Sequence, residues 1–142
     1  MLRNATRVLT ALAIAAAATL LGPAGTAQAA AHGCNGTQID SWNNYHNGTR
    51  VATTYLYWDG TYNCVAAVKR GDYYGKRSRI AVQAWTDATG YVGEDDGHYL
   101  YYANYRFYGK NRCIAVETAM WNFSGSNIVQ DHVPPSGWFH CG

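Results

Sequence analysis

Four cysteines, Cys34, Cys64, Cys113 and Cys141, constrain this chain more than any other feature. They sit downstream of a leader and run almost from end to end of what remains. An even count in a small exported chain reads as two disulfides, because an oxidising compartment pairs thiols and a small core needs covalent support. Three pairings are possible. The sequential one, Cys34 with Cys64 and Cys113 with Cys141, is expected and closes two loops of about 30 residues, each stabilising by about 3–4 kcal/mol on chain-entropy grounds. The rival joins Cys34 to Cys141 and ties the two ends together. A zinc site is disfavoured, since the chain has no C-x2-C spacing.

Residues 1–29 read as a secretory leader. Arg3 and Arg7 open it, and an apolar stretch from Val8 to Leu21 follows. Gly22-Pro23 breaks that stretch, and Ala27-Gln28-Ala29 has the small-x-small form that a signal peptidase cuts. Cleavage there leaves one mature domain, residues 30–142; cleavage after Ala31 is the close alternative. The apolar stretch is short for a bilayer span and no later segment is apolar enough, so a secreted protein with no membrane partner is expected. Arg3 and Arg7 leave with the leader, and the 11 Lys+Arg against 9 Asp+Glu of the whole chain become an even balance. A neutral domain has little general attraction for phosphate backbones, so nucleic acid is not an expected partner.

All 12 Tyr, 5 Trp and 3 Phe lie beyond the leader, a supply that suits strands better than helices. Residues 50–58 are rich in β-branched and aromatic side chains, Asp59-Gly60 signals a turn, and residues 63–69 resume strand composition, which predicts a hairpin. Residues 70–78 are polar and Gly-punctuated and predict a loop. Residues 79–86 predict a strand, 87–90 a turn and 93–97 an acidic loop. Residues 98–108 predict one bent strand, or two short ones broken near Ala103-Asn104. Residues 112–117 and 127–132 predict two more strands, the pattern weakening from Thr118, while His46 sits in a turn-like stretch, residues 43–48. No stretch beyond the leader holds a helical apolar period. The expected class is all-β, a small disulfide-tied antiparallel sandwich or partly open barrel of six to eight short strands. Residues 55–68 and 105–116 echo each other as aromatic strand, Gly turn, Cys and small apolar run, and predict one hairpin design used twice.

Residues that could carry chemistry are scattered. Glu117, His98, His140 and Arg112 can be written as the base, acid and phosphate holder of a small ribonuclease. Any chain with five His offers such a set, and surface or turn histidines, His32 and His132 included, are the plainer reading. Glu94, Asp95 and Asp96 lack the spacing of a calcium loop, and a glycosidase needs two carboxylates across a cleft, so a solvated acidic turn is expected. Ser124-Gly125-Ser126 reads as a turn rather than a nucleophile elbow. With the cysteines paired there is no thiol nucleophile. No cofactor or metal is expected. Asn35, Asn47 and Asn122 begin N-glycosylation triplets, a pattern common by chance.

The aromatic residues offer the stronger functional reading. Sugar-binding modules are often small, exported, neutral, all-β and disulfide-tied, and they lay exposed Trp and Tyr rings against sugar faces. Tyr73 and Tyr74 in the polar loop, with Trp121 and Trp138 (and Phe139 beside it) in weakly patterned segments, are the candidates for a binding face. Tyr57, Trp58, Trp85 and Tyr101 are expected in the core, because burying such a ring stabilises by about 1.5–3 kcal/mol.

Cys34-Asn35-Gly36 near the mature start, residues 62–65 after the first turn, residues 95–99 leading to Tyr101-Tyr102-Ala103, Cys113-Ile114 and the closing His140-Cys141 form an ordered set. In order and spacing, over nearly all of the mature chain, this set resembles the spore-associated protein A family of secreted actinobacterial proteins. The chain departs from that pattern at residues 102–106, where Tyr-Ala-Gly-Pro-Val is usual, and at Asp96, where Ser is common. It departs again at residues 117–121, which replace a Gly-Gly run. The resemblance implies a small exported protein found with spores or aerial growth, and implies no catalytic residues. The expectation is a secreted, non-enzymatic protein of spores or the cell surface, with a spore or cell-wall polymer as its partner. A carbohydrate- or polymer-binding module is the alternative, and a small hydrolase or toxin comes third.

Overall fold

The computed structural model describes residues 30–142; the leader expected over residues 1–29 lies outside them. Eight strands follow in order: β1 (Thr37–His46), β2 (Thr49–Trp58), β3 (Tyr62–Lys69), β4 (Ser78–Thr86), β5 (Gly90–Tyr99), β6 (Tyr102–Tyr108), β7 (Ile114–Trp121) and β8 (Asn127–Val133). They form two antiparallel four-stranded sheets, ordered β1-β2-β3-β6 and β5-β4-β7-β8. The sheets pack face to face as an open sandwich, so the all-β expectation holds and a closed barrel does not form. No helix among the described residues is long and apolar enough to cross a membrane.

The core follows from alternation. A strand turns successive side chains to opposite faces, and Ala52, Leu56, Val65, Ala67, Ala103 and Phe107 of the first sheet meet Ile80, Val82, Ala84, Ile114, Val116 and Met120 of the second. These are mostly small or β-branched residues. Most of the rings stand at the margin instead: Trp42, Tyr73, Tyr99, Tyr105 and Phe139 pack against the core while only partly buried.

The disulfides join Cys34 to Cys64 and Cys113 to Cys141. The first folds the N-terminal segment onto the outer face of the first sheet, where Cys34, Tyr57, Cys64 and Ala66 form a second buried cluster. His32 stacks on Tyr55 there, with ring centroids 5.2 Å apart. Gly36 lets that segment pass: its φ is +96°, and a Cβ would stand 2.3 Å from the Trp58 carbonyl oxygen. Gly36→Ala is therefore expected to lower the unfolding free energy by about 2 kcal/mol, read from urea denaturation; an unchanged midpoint would contradict the close approach. The second disulfide holds the C-terminal tail beside β7, where Phe139 and Ile114 exchange backbone hydrogen bonds of 3.0 and 2.9 Å.

Both open edges of the sandwich are closed by polar side chains. At one, the fully buried Asn44 donates to Asp131 at 2.7 Å and accepts from Thr54 at 2.8 Å, and the Thr54 hydroxyl meets that of Thr118 at 2.7 Å. This chain runs from β1 through β2 to β7 and β8, with each buried group satisfied. At the other edge, Asp95 accepts from the Asn104 N–H at 2.9 Å and from the Tyr99 hydroxyl at 2.6 Å, and Tyr105 donates to the Val92 carbonyl at 2.9 Å. That bond to Asp95, with burial second, raises the pKa of Tyr99 above its usual value.

Several sequence expectations are corrected. Residues 93–97 are not an acidic turn but the middle of β5. Their charges find cross-strand partners, Glu94 on Gln83 at 2.8 Å and Asp96 on Arg79 at 2.9 and 2.6 Å, and Asp95 serves the opposite edge strand. The break in residues 98–108 falls at Leu100-Tyr101, where the chain crosses from one sheet to the other, not at Ala103-Asn104. The echo is not a second hairpin. β6 and β7 lie in different sheets, whereas β2 and β3 pair directly. Residues 43–46 belong to β1, and Asn47-Gly48, with φ of +48° and +76°, make the two-residue turn. β7 runs on to Trp121 rather than fading at Thr118.

Candidate functional site

The connections after β1, β3, β5 and β7 all emerge at one end of the sandwich, because every strand pairing is antiparallel. They are bonded to one another there: Lys69 N–H to the Tyr101 carbonyl at 2.9 Å and Gly75 N–H to the Leu100 carbonyl at 2.9 Å.

Lys69 organises this end. It is the last residue of β3, and alternation with Val65 and Ala67 turns its side chain inward, where it is 0% exposed. Its Nζ donates to the carbonyls of Lys76, Ser78 and Tyr99 and to the Ser78 hydroxyl. An ammonium has three protons, so these four oxygens share them, and no carboxylate is among the partners. Burial first, and the Arg77 charge second, push its pKa from 10.5 down to about 8. Lys69 is thus a buried cation at neutral pH, cross-linking the β3–β4 loop to the crossing between the sheets.

Those connections display rings. Tyr73 stacks on Phe123, with centroids 4.7 Å apart and planes at 18°. Tyr74 leans on Tyr101 at 5.0 Å and 58°. Tyr74, Tyr101 and Phe123 are 54%, 45% and 57% exposed. The Phe123 turn is firm, since the Asn122 carboxamide oxygen accepts from the Ser124 and Ser126 N–H groups and the Ser124 hydroxyl. Beside it runs a groove of about 270 Å³, lined by Arg77, Arg79, His98, Trp121, Asn122 and Phe123 with small neighbours. Arg79 lies over the Trp121 ring at 4.0 Å, and Lys76 Nζ stands 5.8 Å from the Phe123 centroid.

Of the four candidate binding residues, Tyr73, Tyr74 and Trp121 come to this end, Tyr73 and Trp121 half-buried and Tyr74 exposed. Trp138 does not. It is 44% exposed on the C-terminal tail near the start of β7, at the opposite end. Tyr101, expected in the core, is a surface ring, because it lies in the two-residue crossing between sheets. Phe123 was not among the candidates, although its Asn-Phe-Ser-Gly-Ser setting is a turn signal that exposes whatever ring it contains. Tyr57 is buried, while Trp58 and Trp85 are half-buried.

The four residues of the ribonuclease-like set are not brought together. Glu117 lies on the outer face of the second sheet, 3.7 Å from His132, beyond hydrogen-bond reach. His140 contacts Asp40 at 3.0 Å, His98 borders the groove, and Arg112 sits in the connection after β6. Among the described residues no group of three or more His, Cys, Asp or Glu is placed to hold a metal ion. Two other hollows, of about 360 Å³ under the C-terminal tail and about 580 Å³ between the β1 and β8 edges, lack the combination of several exposed rings with cations; a further one of about 410 Å³ has Tyr62, Tyr105 and Tyr108 with Arg106 and Arg112, but there Arg106 lies on Tyr62 and is paired with Asp59. Trp42 in the second of them keeps a buried indole N–H without a partner. Compared with known proteins, the chain matches no protein-family model, no curated protein and no solved structure.

Proposed function

We propose that this is a secreted, non-enzymatic protein of the spore or cell surface that binds a wall polymer through its loop end. The observation that carries the reading is the gathering of Tyr73, Tyr74, Tyr101 and Phe123 on the connections at one end of a disulfide-tied sandwich. Rings left at the surface cost hydrophobic stabilisation, and a partner that covers them recovers it. Sugar rings carry apolar C–H faces that lie well on Tyr and Phe. The Tyr74 and Tyr101 planes stand at 58° to each other, so these rings do not share one plane, and the face suits a single bent glycan chain better than a flat crystalline surface. The resemblance to the spore-associated family, the leader and the two disulfides support an exported setting.

Retention of the purified mature domain on peptidoglycan, chitin and spore walls tests this. Covering an exposed ring is worth on the order of 1 kcal/mol or more, so the double variant Tyr74→Ala/Tyr101→Ala is expected to lose about tenfold or more in retention, while its unfolding free energy falls only by the Tyr74–Tyr101 contact, about 0.5–1.5 kcal/mol. Equal retention of variant and parent would remove the loop end from the account. Fractionating spores from culture medium with an antibody to the mature domain tests the surface setting; protein found only in the medium would contradict it.

A further inference from the structure

The charges of this neutral domain are segregated. Arg50, Lys69, Arg70, Lys76 and Arg77 belong to the loop end or its margin, and Asp72 is the one acid in residues 70–77. Among the described residues no carboxylate forms an ion pair with any of those five, the pairs being Arg79–Asp96, Arg106–Asp59, His132–Glu117 and His140–Asp40. Arg70 is occupied on the outer face of the first sheet by Thr53 and Tyr55. Arg77 donates from one nitrogen to the His98 carbonyl at 2.9 Å and keeps further N–H groups at the groove. Lys69 adds a charge from beneath, and a cation buried without an anion projects its field through a low-dielectric interior. Arg79, by contrast, is neutralised by Asp96.

From this placement, and resting on the polymer-binding reading, we infer that the ligand is an anionic glycan. Its phosphate or carboxylate lies between Arg77 and Lys76, and an adjoining sugar lies on Phe123. Guanidinium matches either anion with paired hydrogen bonds. The groove of about 270 Å³ has room for one charged residue of a chain and not for a buried oligomer, so neighbouring residues extend over Tyr74 and Tyr101. The same basic and aromatic mixture is used by single-strand nucleic-acid binders. The exported setting of the proposed function favours the glycan, because wall polymers are the polyanions that a domain on the outer surface meets.

Calorimetric titration of the mature domain with glucosylated poly(glycerol phosphate), polygalacturonate, chitohexaose, cellohexaose and oligo-dT tests this at low and physiological salt. At least one anionic glycan is expected to bind tenfold or more tighter than both neutral oligosaccharides. Its affinity falls with salt, and the double variant Lys76→Gln/Arg77→Gln loses tenfold or more. The phosphate and carboxylate polymers identify which anion the groove takes. Equal affinity for neutral and charged glycans, or an unaffected double variant, overturns the inference and leaves the polymer-binding reading standing. Tighter binding of oligo-dT than of either glycan overturns it in favour of nucleic acid. Failure of every polymer to bind overturns both.

Discussion

Lys69→Met is expected to lower the unfolding free energy by about 3 kcal/mol at pH 7. The substitution keeps the apolar stem, stopping one atom short, but removes the donor shared by the carbonyls of Lys76, Ser78 and Tyr99 and the Ser78 hydroxyl. Each buried acceptor left unmet costs about 1–3 kcal/mol, and three of the four are backbone carbonyls that no side-chain change can remove. Part of that loss is offset, because the variant no longer buries a charge. The offset reads out in pH. The unfolded chain holds the proton up to about 10.5, whereas the folded protein releases it near 8. Between those values the unfolded state binds more protons, so stability rises with pH. The cost of the buried charge is present in full below pH 8 and is relieved as pH climbs, by about 2–3 kcal/mol at pH 10. Tyr57, Tyr91 and Tyr99, whose pKa values are raised above 10, the first two by burial and the third by its bond to Asp95, oppose that rise only as pH reaches 10 and passes it, at the top of the window. Urea denaturation from pH 7 to 10 should show the rise in the parent and its absence in the variant. A flat parent profile, or a variant as stable as the parent at pH 7, would contradict the role given to Lys69.

Loss of the inner disulfide ranks beside it. Cys34→Ala/Cys64→Ala is expected to cost about 3–4 kcal/mol, the value for opening a loop of this length. Cys34 and Cys64 are 1% and 2% exposed, under a segment that also covers Tyr57 and Ala66. Releasing that segment adds the exposure of apolar surface to the loss of the cross-link. The outer disulfide differs in access, since Cys141 is exposed and Cys113 half-buried. Mild reductant followed by thiol labelling and mass spectrometry should therefore modify Cys113 and Cys141 well before Cys34 and Cys64. The reverse order, or a double variant with unchanged thermal stability, would contradict this packing.

The strands legible in the sequence are those whose own residues favour the state. β2, β3, β4 and β8 are rich in Val, Thr, Ile and aromatic side chains and were expected close to their observed places. β5 was not, because Gly93-Glu94-Asp95-Asp96-Gly97 is among the poorest strand formers. It is a strand because Gln83 and Arg79 across the ladder, and the Asn104 N–H on the neighbouring sheet's edge, answer its carboxylates. Those partners are non-local and leave no trace in the segment itself. β1 was hidden in the same way, since its Asn43-Asn44 looks like a turn until Thr53, Thr54 and Asp131 satisfy it. The misplacement of Tyr101 has another cause. Hydrophobic value alone sends the rings to the core, but Ala52, Ala67, Ala84 and Ala103 at 0% exposure bring the sheets too close for many rings between them. Surplus rings go to the margins and to the loop end. Lys69 reads in sequence as the polar end of a strand, and its role emerges only where two connections converge on it.

An anionic wall polymer is proposed to bind the end of the sandwich built over Lys69. The most direct measurement is an amide-resolved NMR titration of the mature domain with that polymer. The account predicts that shifts concentrate at Tyr74, Lys76, Arg77, Tyr101 and Phe123, with the outer face of the second sheet around Trp85 and His132 unmoved. Shifts centred on Trp85 and His132, or on Trp138 at the opposite end, would contradict it.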